Sequence, residues 1–384
     1  MRFEFSTPTR ILFGPGAVRE VAPAARALGA RALVVTGRDP GRAGPLVEHL
    51  RTEGVAVAAF SVPGEPTVER VRAGVERARA EGCDLVVGFG GGSVLDAGKA
   101  VAALLTNAGD PLDYLEVVGK NRALTRPSAP FVAIPTTAGT GAEVTRNAVL
   151  ASTENYVKAS LRSDFMYPRL AVVDPELTHA LPPALTASTG LDALTQLIEP
   201  FVSISANPLT DDFCRDGMAR AARSLRRAWE DGRNAAARED MALASLLGGL
   251  ALANAKLGAV HGCAAVLGGR YPAPHGAVCA RLLPIVMVAN VAALHDRSPG
   301  GLALRRYEEV ARIVTGRPEA TIADGIRWVH ALCADLGVPA LGRHGMVAAE
   351  IPAVVAEAQR ASSTKGNPIA LTDEELAEVL RQAL

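Results

Sequence analysis

Apolar positions along the chain follow two different rhythms. In the first half, short apolar runs alternate with helical stripes. Residues 32–36 (ALVVT), 55–62, 85–89, 131–135 and 170–173 are short and rich in β-branched side chains, the pattern of strands buried on both faces. Residues 45–52, 67–81 and 93–105 instead carry helical spacing. In the second of these, Val68, Val71, Val75 and Ala78 form one stripe, and Thr67 stands where an N-cap hydroxyl belongs. Strands alternating with helices predict a parallel sheet covered on both sides.

Beyond Pro182 the strand-like runs stop. Residues 185–203, 219–229, 235–257, 302–314 and 322–336 predict Ala- and Leu-rich helices. The most apolar stretch, 282–294, contains Pro284 and Asn290 and is shorter than a membrane span of roughly 20 residues, so it reads as a buried helix. Pro182-Pro183 marks the boundary. The expected layout is an α/β Rossmann-like dinucleotide-binding domain over residues 1–181 and an all-α domain over 182–384, without solenoid repeats. Residues 3–5 (FEF) read as an edge strand able to pair between subunits.

Composition narrows the function classes. Lys+Arg and Asp+Glu both number 40, and zero net charge argues against a nucleic-acid partner. The five cysteines are scattered, odd in number and without a CxxC pair, which fits a reducing cytoplasm. Residues 1–7 lack the apolar core of a secretory signal, and no membrane role is expected.

Two loops carry candidate nucleotide chemistry. Gly88-Phe89-Gly90-Gly91-Gly92-Ser93 lies between a strand and a helix, where glycines let backbone N–H groups approach phosphate and the helix dipole favours negative charge. Ser93 is also placed to cap that helix. The turn departs from the G-x-G-x-x-G fingerprint, and an unliganded βα turn is the plain alternative. Pro135-Thr136-Thr137-Ala138-Gly139-Thr140-Gly141 follows another strand, at the end where open α/β sheets bind ligands. Two such loops at successive strand ends favour a nucleotide over a coincidence of turns.

The seven histidines include His261 and His275, which flank a glycine-rich segment. Asp192 sits in an apolar helix with Gln196 one turn later on the same face. A carboxylate and two imidazoles suit a divalent transition metal, and a buried carboxylate needs a partner. Cys263 and Cys279 read as small buried hydrophobes.

These residues together resemble the iron-containing (group III) alcohol dehydrogenase family. The resemblance runs through Ile11-Leu12-Phe13-Gly14-Pro15-Gly16, Ser93-Val94-Leu95-Asp96, residues 135–145 (PTTAGTGAEVT), Lys158, Asp174-Pro175-Glu176-Leu177, Gly190-Leu191-Asp192-Ala193-Leu194, Pro274-His275-Gly276 and Asn367-Pro368. It implies a dehydroquinate-synthase-like fold and hydride transfer between NAD or NADP and a small alcohol or aldehyde in a cleft between the domains. By the same resemblance, Asp192, Gln196, His261 and His275 occupy the four positions that hold Fe2+ or Zn2+, with Asp192, His261 and His275 catalytic. Gly91, Gly92 and Ser93 match the pyrophosphate site, and Asp96 the nicotinamide amide. Thr136, Thr137, Thr140, Thr145 and Lys158 match the phosphates and ribose, and Leu177 the adenosine. Relatives are homodimers or higher homo-oligomers.

Three departures stand out. Gln196 replaces the family's histidine, Ala265 replaces a further histidine that would relay protons, and Gly37-Arg38 replaces the aspartate that selects NAD. Removing that carboxylate removes the repulsion of a 2′-phosphate, and Arg38 is able to pair with one. Two alternatives follow: a maleylacetate-reductase-like enzyme using Lys158 and Arg162 for an acidic substrate, and a cofactor-binding protein with a decayed metal site.

Overall fold

The computed structural model describes residues 2–154 and 157–384, which fall into two compact units. One comprises Ser6–Thr137 and Gly141–Thr178. The other comprises Ala138–Thr140 and His179–Leu384, together with the N-terminal residues as far as Phe5.

The first unit holds strands β1 (Ile11–Phe13), β2 (Arg31–Thr36), β3 (Ala56–Ser61), β4 (Leu85–Gly90), β5 (Phe131–Pro135), β6 (Asn147–Ser152), β7 (Val157–Arg162) and β8 (Leu170–Val173). Its helices are α1 (Val21–Arg26), α2 (Gly44–Thr52), α3 (Val68–Ala80), α4 (Gly92–Thr106) and the single turn α5 (Pro111–Tyr114). Six strands form an all-parallel sheet in the order β1-β8-β5-β4-β2-β3. Both faces are dry because successive side chains point opposite ways. Along β2, Ala32 and Val34 enter the apolar layer of α1 and α2, while Leu33 and Val35 enter that of α3 and α4. The continuous apolar runs of the sequence are therefore two alternating faces, each buried.

The chain steps from β2 outward to β3, then returns past β2 to β4. Strand order thus reverses at the neighbouring pair β2 and β4, where Thr36 lies beside Phe89. Such a reversal leaves a crevice outside the carboxyl ends of the two strands.

The antiparallel pair β6–β7 escapes the sequence reading. Its two strands alternate buried and half-buried residues rather than forming the solid apolar runs of the main sheet. Residues 3–5 pair with no strand of this chain, and the Phe5 ring packs 5.8 Å from that of Phe213. At the glycine turn, the helix starts at Gly92 with Gly91 as its N-cap, so Ser93 lies inside the first turn and does not cap it.

The second unit is helical: α6 (Pro183–Val202), α7 (Pro208–Glu230), α8 (Ala235–Asn254), α9 (Ala259–Arg270), α10 (His275–Arg297), α11 (Leu302–Thr315), α12 (Ile322–Asp335), α13 (Ile351–Arg360) and α14 (Asp373–Ala383). Helix α7 begins well before its predicted start because Asn207 and Thr210 form a reciprocal capping box. Helix α10 is longer than its apolar centre suggests. It is long and apolar enough to cross a membrane by composition, yet its apolar window is 61% buried inside the protein, as a core helix is.

A buried polar cluster fastens α4 to the following loop and hairpin. Lys99, 1% exposed, donates through Nζ to the Ala142 carbonyl (3.0 Å), Thr145 Oγ1 (2.9 Å) and the Asn147 carbonyl, and pairs with Asp96 Oδ1 at 3.0 Å. Asp96 Oδ2 accepts the Val149 N–H at 3.1 Å. Glu143 is buried in the same loop. Burial pushes its carboxyl up to about 7 from an ordinary 4.5, against the opposing pull of its own backbone N–H and Lys99. The unfolded chain therefore releases this proton first as pH rises. The native state bears a growing cost from about pH 4.5, complete above about 7, of about 3 kcal/mol. Replacing Glu143 by Gln should raise stability at pH 8 by up to about 3 kcal/mol and at pH 5 by less than about 1 kcal/mol. Denaturant unfolding at both pH values checks this, and equal gains would contradict it.

Candidate functional site

Helix α6 supplies one face of a polar cluster in an otherwise apolar interior. Asp192, Gln196 and Glu199 recur at spacings of four and three, which stacks them along one side of the helix. Gln196 Nε2 donates to Asp192 Oδ2 at 3.0 Å. Glu199 reaches the start of α9, where its Oε1 accepts the Val260 N–H (2.7 Å) and its Oε2 takes His261 Nδ1 at 2.6 Å. A carboxylate accepting at Nδ1 holds one ring proton there, so loss of the other proton frees the Nε2 lone pair. That Nε2 lies 3.4 Å from Asp192 Oδ1.

His275 opens α10, with its Nε2 3.8 Å from the same Asp192 oxygen. The two imidazole rings are 5.4 Å apart and inclined by 54°. One turn further along α10, Cys279 Sγ lies 3.6 Å from His275 Nε2. The donor atoms of Asp192, His261, His275 and Cys279 all fall within 4.8 Å of one another.

Glycines permit this convergence. A Cβ on Gly276 would sit 2.2 Å from the Ser188 carbonyl oxygen of α6, so only glycine lets α10 start this close to Asp192. On Gly258 a Cβ would meet Glu199 Oε1 at 2.7 Å. Asn367 completes the support: its Oδ1 accepts the Ala259 N–H at 3.1 Å, capping α9 just before His261.

The carboxylates, imidazoles and thiol of the cluster bias one another's charge. Burial drives the Asp192 carboxyl upward, but His261 and His275 outweigh it and hold the group below its ordinary value. Burial opposes charge on His261, yet Cys279, Glu199 and Asp192 together lift its imidazole well above the usual range. Cys279 is the leading cause of the rise at His275. Asp192 Oδ1, Gln196 Oε1 and His261 Nε2 are buried without a hydrogen-bond partner. A buried unsatisfied polar atom costs about 1–3 kcal/mol, so three in one cluster suit the donor set of a cation. One carboxylate, two imidazoles and a thiol form a competent donor set for a divalent transition metal.

The α/β unit places the predicted nucleotide residues as follows. Gly91, Gly92 and Ser93 follow β4 at the start of α4, and Gly37 and Arg38 follow the neighbouring β2, so both groups border the strand-order reversal. A Cβ on Gly90 would lie 2.5 Å from Val94, which makes glycine obligatory at the bend. The first turn of α4 contains no acidic residue. Thr136 extends β5 beside β4, its N–H donating to the Gly90 carbonyl (2.9 Å), and Thr137 lies in van der Waals reach of a Cβ at Gly91. Arg38 is exposed, and the nearby Asp39 turns its Oδ1 to the Gly41 N–H at 3.0 Å.

Other predicted positions are engaged in the architecture. Asp96 and Thr145 belong to the Lys99 cluster. Lys158 pairs with Glu65 at 3.0 Å and Arg162 with Glu116 at 3.5 Å. Leu177 packs on the α1–α2 layer, and its carbonyl accepts from Arg42 at 3.1 Å. Thr140 groups with the helical unit, unlike Thr136 and Thr137.

Glu199 escapes the sequence reading, and Cys279, read there as a small buried hydrophobe, stands among the polar donors. Glu199 has a periodic signal, seven positions after Asp192 on the same helical face. Cys279 has one too, four positions after His275, the spacing that puts two side chains on one face.

Comparison with known proteins agrees with this geometry. Residues 8–175 match the family described as "Iron-containing alcohol dehydrogenase", and residues 186–384 match "Fe-containing alcohol dehydrogenase family, C-terminal". The chain is 37% identical to the 1,3-propanediol dehydrogenase of Citrobacter freundii over 394 aligned residues, covering 99% of this chain and 98% of that one. A crystal structure of a 1,3-propanediol oxidoreductase superposes with a TM-score of 0.92 at 36% identity, covering both chains fully. The sulfoacetaldehyde reductase of Bifidobacterium kashiwanohense in complex with NAD+ superposes with a TM-score of 0.86 at 30% identity, covering 99% of this chain and 98% of that one.

The contact between α6 and α10 yields a direct test. Gly276→Ala should lower stability by about 1–3 kcal/mol, the usual cost of overpacking, because the Ser188 backbone cannot rotate away. An unchanged denaturation midpoint would show that α10 does not depend on that close approach.

Proposed function

This chain belongs to the iron-containing alcohol dehydrogenase family and is an alcohol oxidoreductase, and from that premise we propose that it oxidises small alcohols and reduces the matching aldehydes with NAD(P), using one divalent metal ion held by Asp192, His261 and His275. The observation that carries the metal reading is the buried pair Asp192 Oδ1 and His261 Nε2, 3.4 Å apart and neither of them hydrogen-bonded. A site that had lost its metal would be under pressure to fill or pair those atoms. The substrates for which the relatives are named, a short diol and a small anionic aldehyde, supply the substrate class.

Each residue has a task that its geometry supports. Asp192 offers Oδ1 to the ion while Gln196 holds Oδ2. His261 offers Nε2 because Glu199 keeps the proton at Nδ1. His275 offers Nε2 from the first turn of α10. The N–H groups of Gly91, Gly92 and Ser93 bind the pyrophosphate at the positive end of α4, unopposed by any first-turn acid. Thr136 and Thr137 line the neighbouring strand end. We assign Thr140, Thr145, Lys158, Asp96 and Leu177 to the same nucleotide. When bound, the cation supplies Lewis-acid polarisation of the substrate oxygen and the nicotinamide exchanges the hydride.

The end of β2 favours NADP as the working nucleotide. No carboxylate stands at Gly37, and the Arg38 side chain is exposed. A reading on larger acidic substrates is less well supported, since Lys158 and Arg162 already have carboxylate partners. All five cysteines are free, in keeping with a reducing, cytoplasmic setting.

Three measurements test this. Protein dialysed against Fe2+ or Zn2+ should carry close to one ion per chain, with aldehyde-dependent NAD(P)H oxidation abolished by chelation; full activity without metal would refute the reading. Glu199→Gln should weaken metal binding about 10- to 100-fold, as loss of an outer-shell partner does, and a wild-type metal affinity would contradict the role of Glu199. Arg38→Ala should cut kcat/KM for NADPH about 10- to 100-fold, in line with one charge-assisted contact of about 1.5–3 kcal/mol, while sparing NADH. Equal losses with both would contradict phosphate pairing.

A further inference from the structure

We propose that Cys279 Sγ is a ligand of the metal ion, replacing the side chain at position 196 as the fourth protein donor, and that Gln196 is a positioning residue. The inference rests on the metal reading above and specifies which atoms of this chain make up the shell.

Position 279 has the required geometry. It lies one helical turn after His275, so the two side chains leave α10 on the same face. Its sulfur is 3.6 Å from His275 Nε2 and within 4.8 Å of the donor atoms of Asp192 and His261. The residue is completely buried, beside the partly exposed His275. Two further donors nearby, Asp192 Oδ1 and His261 Nε2, are buried and not hydrogen-bonded, and this second observation separates Cys279 from an isolated core cysteine.

Gln196 is held through its amide nitrogen, and its Oε1 is buried without a hydrogen-bond partner. Its Nε2 is the atom facing Asp192 Oδ2, since a carboxylate oxygen accepts only from the N–H end of an amide. That bond fixes the carboxylate and leaves Oδ1 for the ion. An amide is also a far weaker donor to a transition metal than a thiolate. Exchanging an imidazole at 196 for a thiolate at 279 preserves the number of strong donors. It also adds a negative charge and a soft ligand, which shifts preference toward zinc. On binding, the Cys279 S–H gives its proton to solvent and the thiolate occupies the ion.

Cobalt substitution tests the assignment without reference to turnover. Full-length protein is stripped with a chelator, loaded with Co2+ and read in the near ultraviolet, where thiolate-to-cobalt charge transfer absorbs. The wild type should bind one Co2+ per chain and show the band. Cys263→Ser should retain it. Cys279→Ser should lose it while keeping weaker visible cobalt absorption, with Zn2+ affinity reduced more than about 100-fold, beyond the loss from an outer-shell partner. Gln196→Ala should keep the band. One Co2+ per chain without any thiolate band in the wild type, or a band that survives Cys279→Ser, overturns this proposal and leaves the metal reading standing. A wild type that takes up neither Co2+ nor Zn2+ overturns both.

Discussion

A carboxylate inside an apolar helix has to be met by compensating charge, and Asp192 sets that demand for the helical unit. It is 1% exposed, so water cannot stabilise its ionised form. Gln196 satisfies one oxygen. The other faces two imidazoles that begin two different helices. Three helices are thereby tied to one atom, and the glycines at 258 and 276 are the steric condition for their approach. Glu199 and Asn367 then hold α9 by its first backbone N–H groups and fix the tautomer of His261. Local structure, packing and candidate chemistry are one arrangement here.

The α/β unit reaches its own binding geometry by a different constraint. A parallel sheet buried on both faces leaves only strand ends free to meet a ligand. The reversal of strand order between β2 and β4 brings the Gly37-Arg38 and glycine-turn segments side by side. Lys99 anchors α4 through the Ala142 and Asn147 carbonyls, and Asp96 through the Val149 N–H, so the helix has a fixed base. Asp96 and Thr145 consequently have structural duties beside any contact with a nucleotide.

Much of this was legible in the sequence because it is periodic or punctuated. The main strands read directly, since their continuous apolar runs reflect burial on two faces. Asp192, His261 and His275 stood out as polar residues in apolar or glycine-rich surroundings. The hairpin β6–β7 did not, because its half-buried pattern lacks such runs. The true start of α7 lay in a capping box at Asn207, outside the apolar stripe. Glu199 and Cys279 obey the helical period, yet their roles depend on which helices meet, and spacing within one helix cannot supply that.

Anomalous diffraction at the absorption edge of the incorporated metal, from crystals of the active protein, tests the central claim most directly. The account predicts one peak per chain, at bonding distance from Asp192 Oδ1, His261 Nε2 and His275 Nε2. Fully active crystals with no anomalous peak among those three atoms would contradict it.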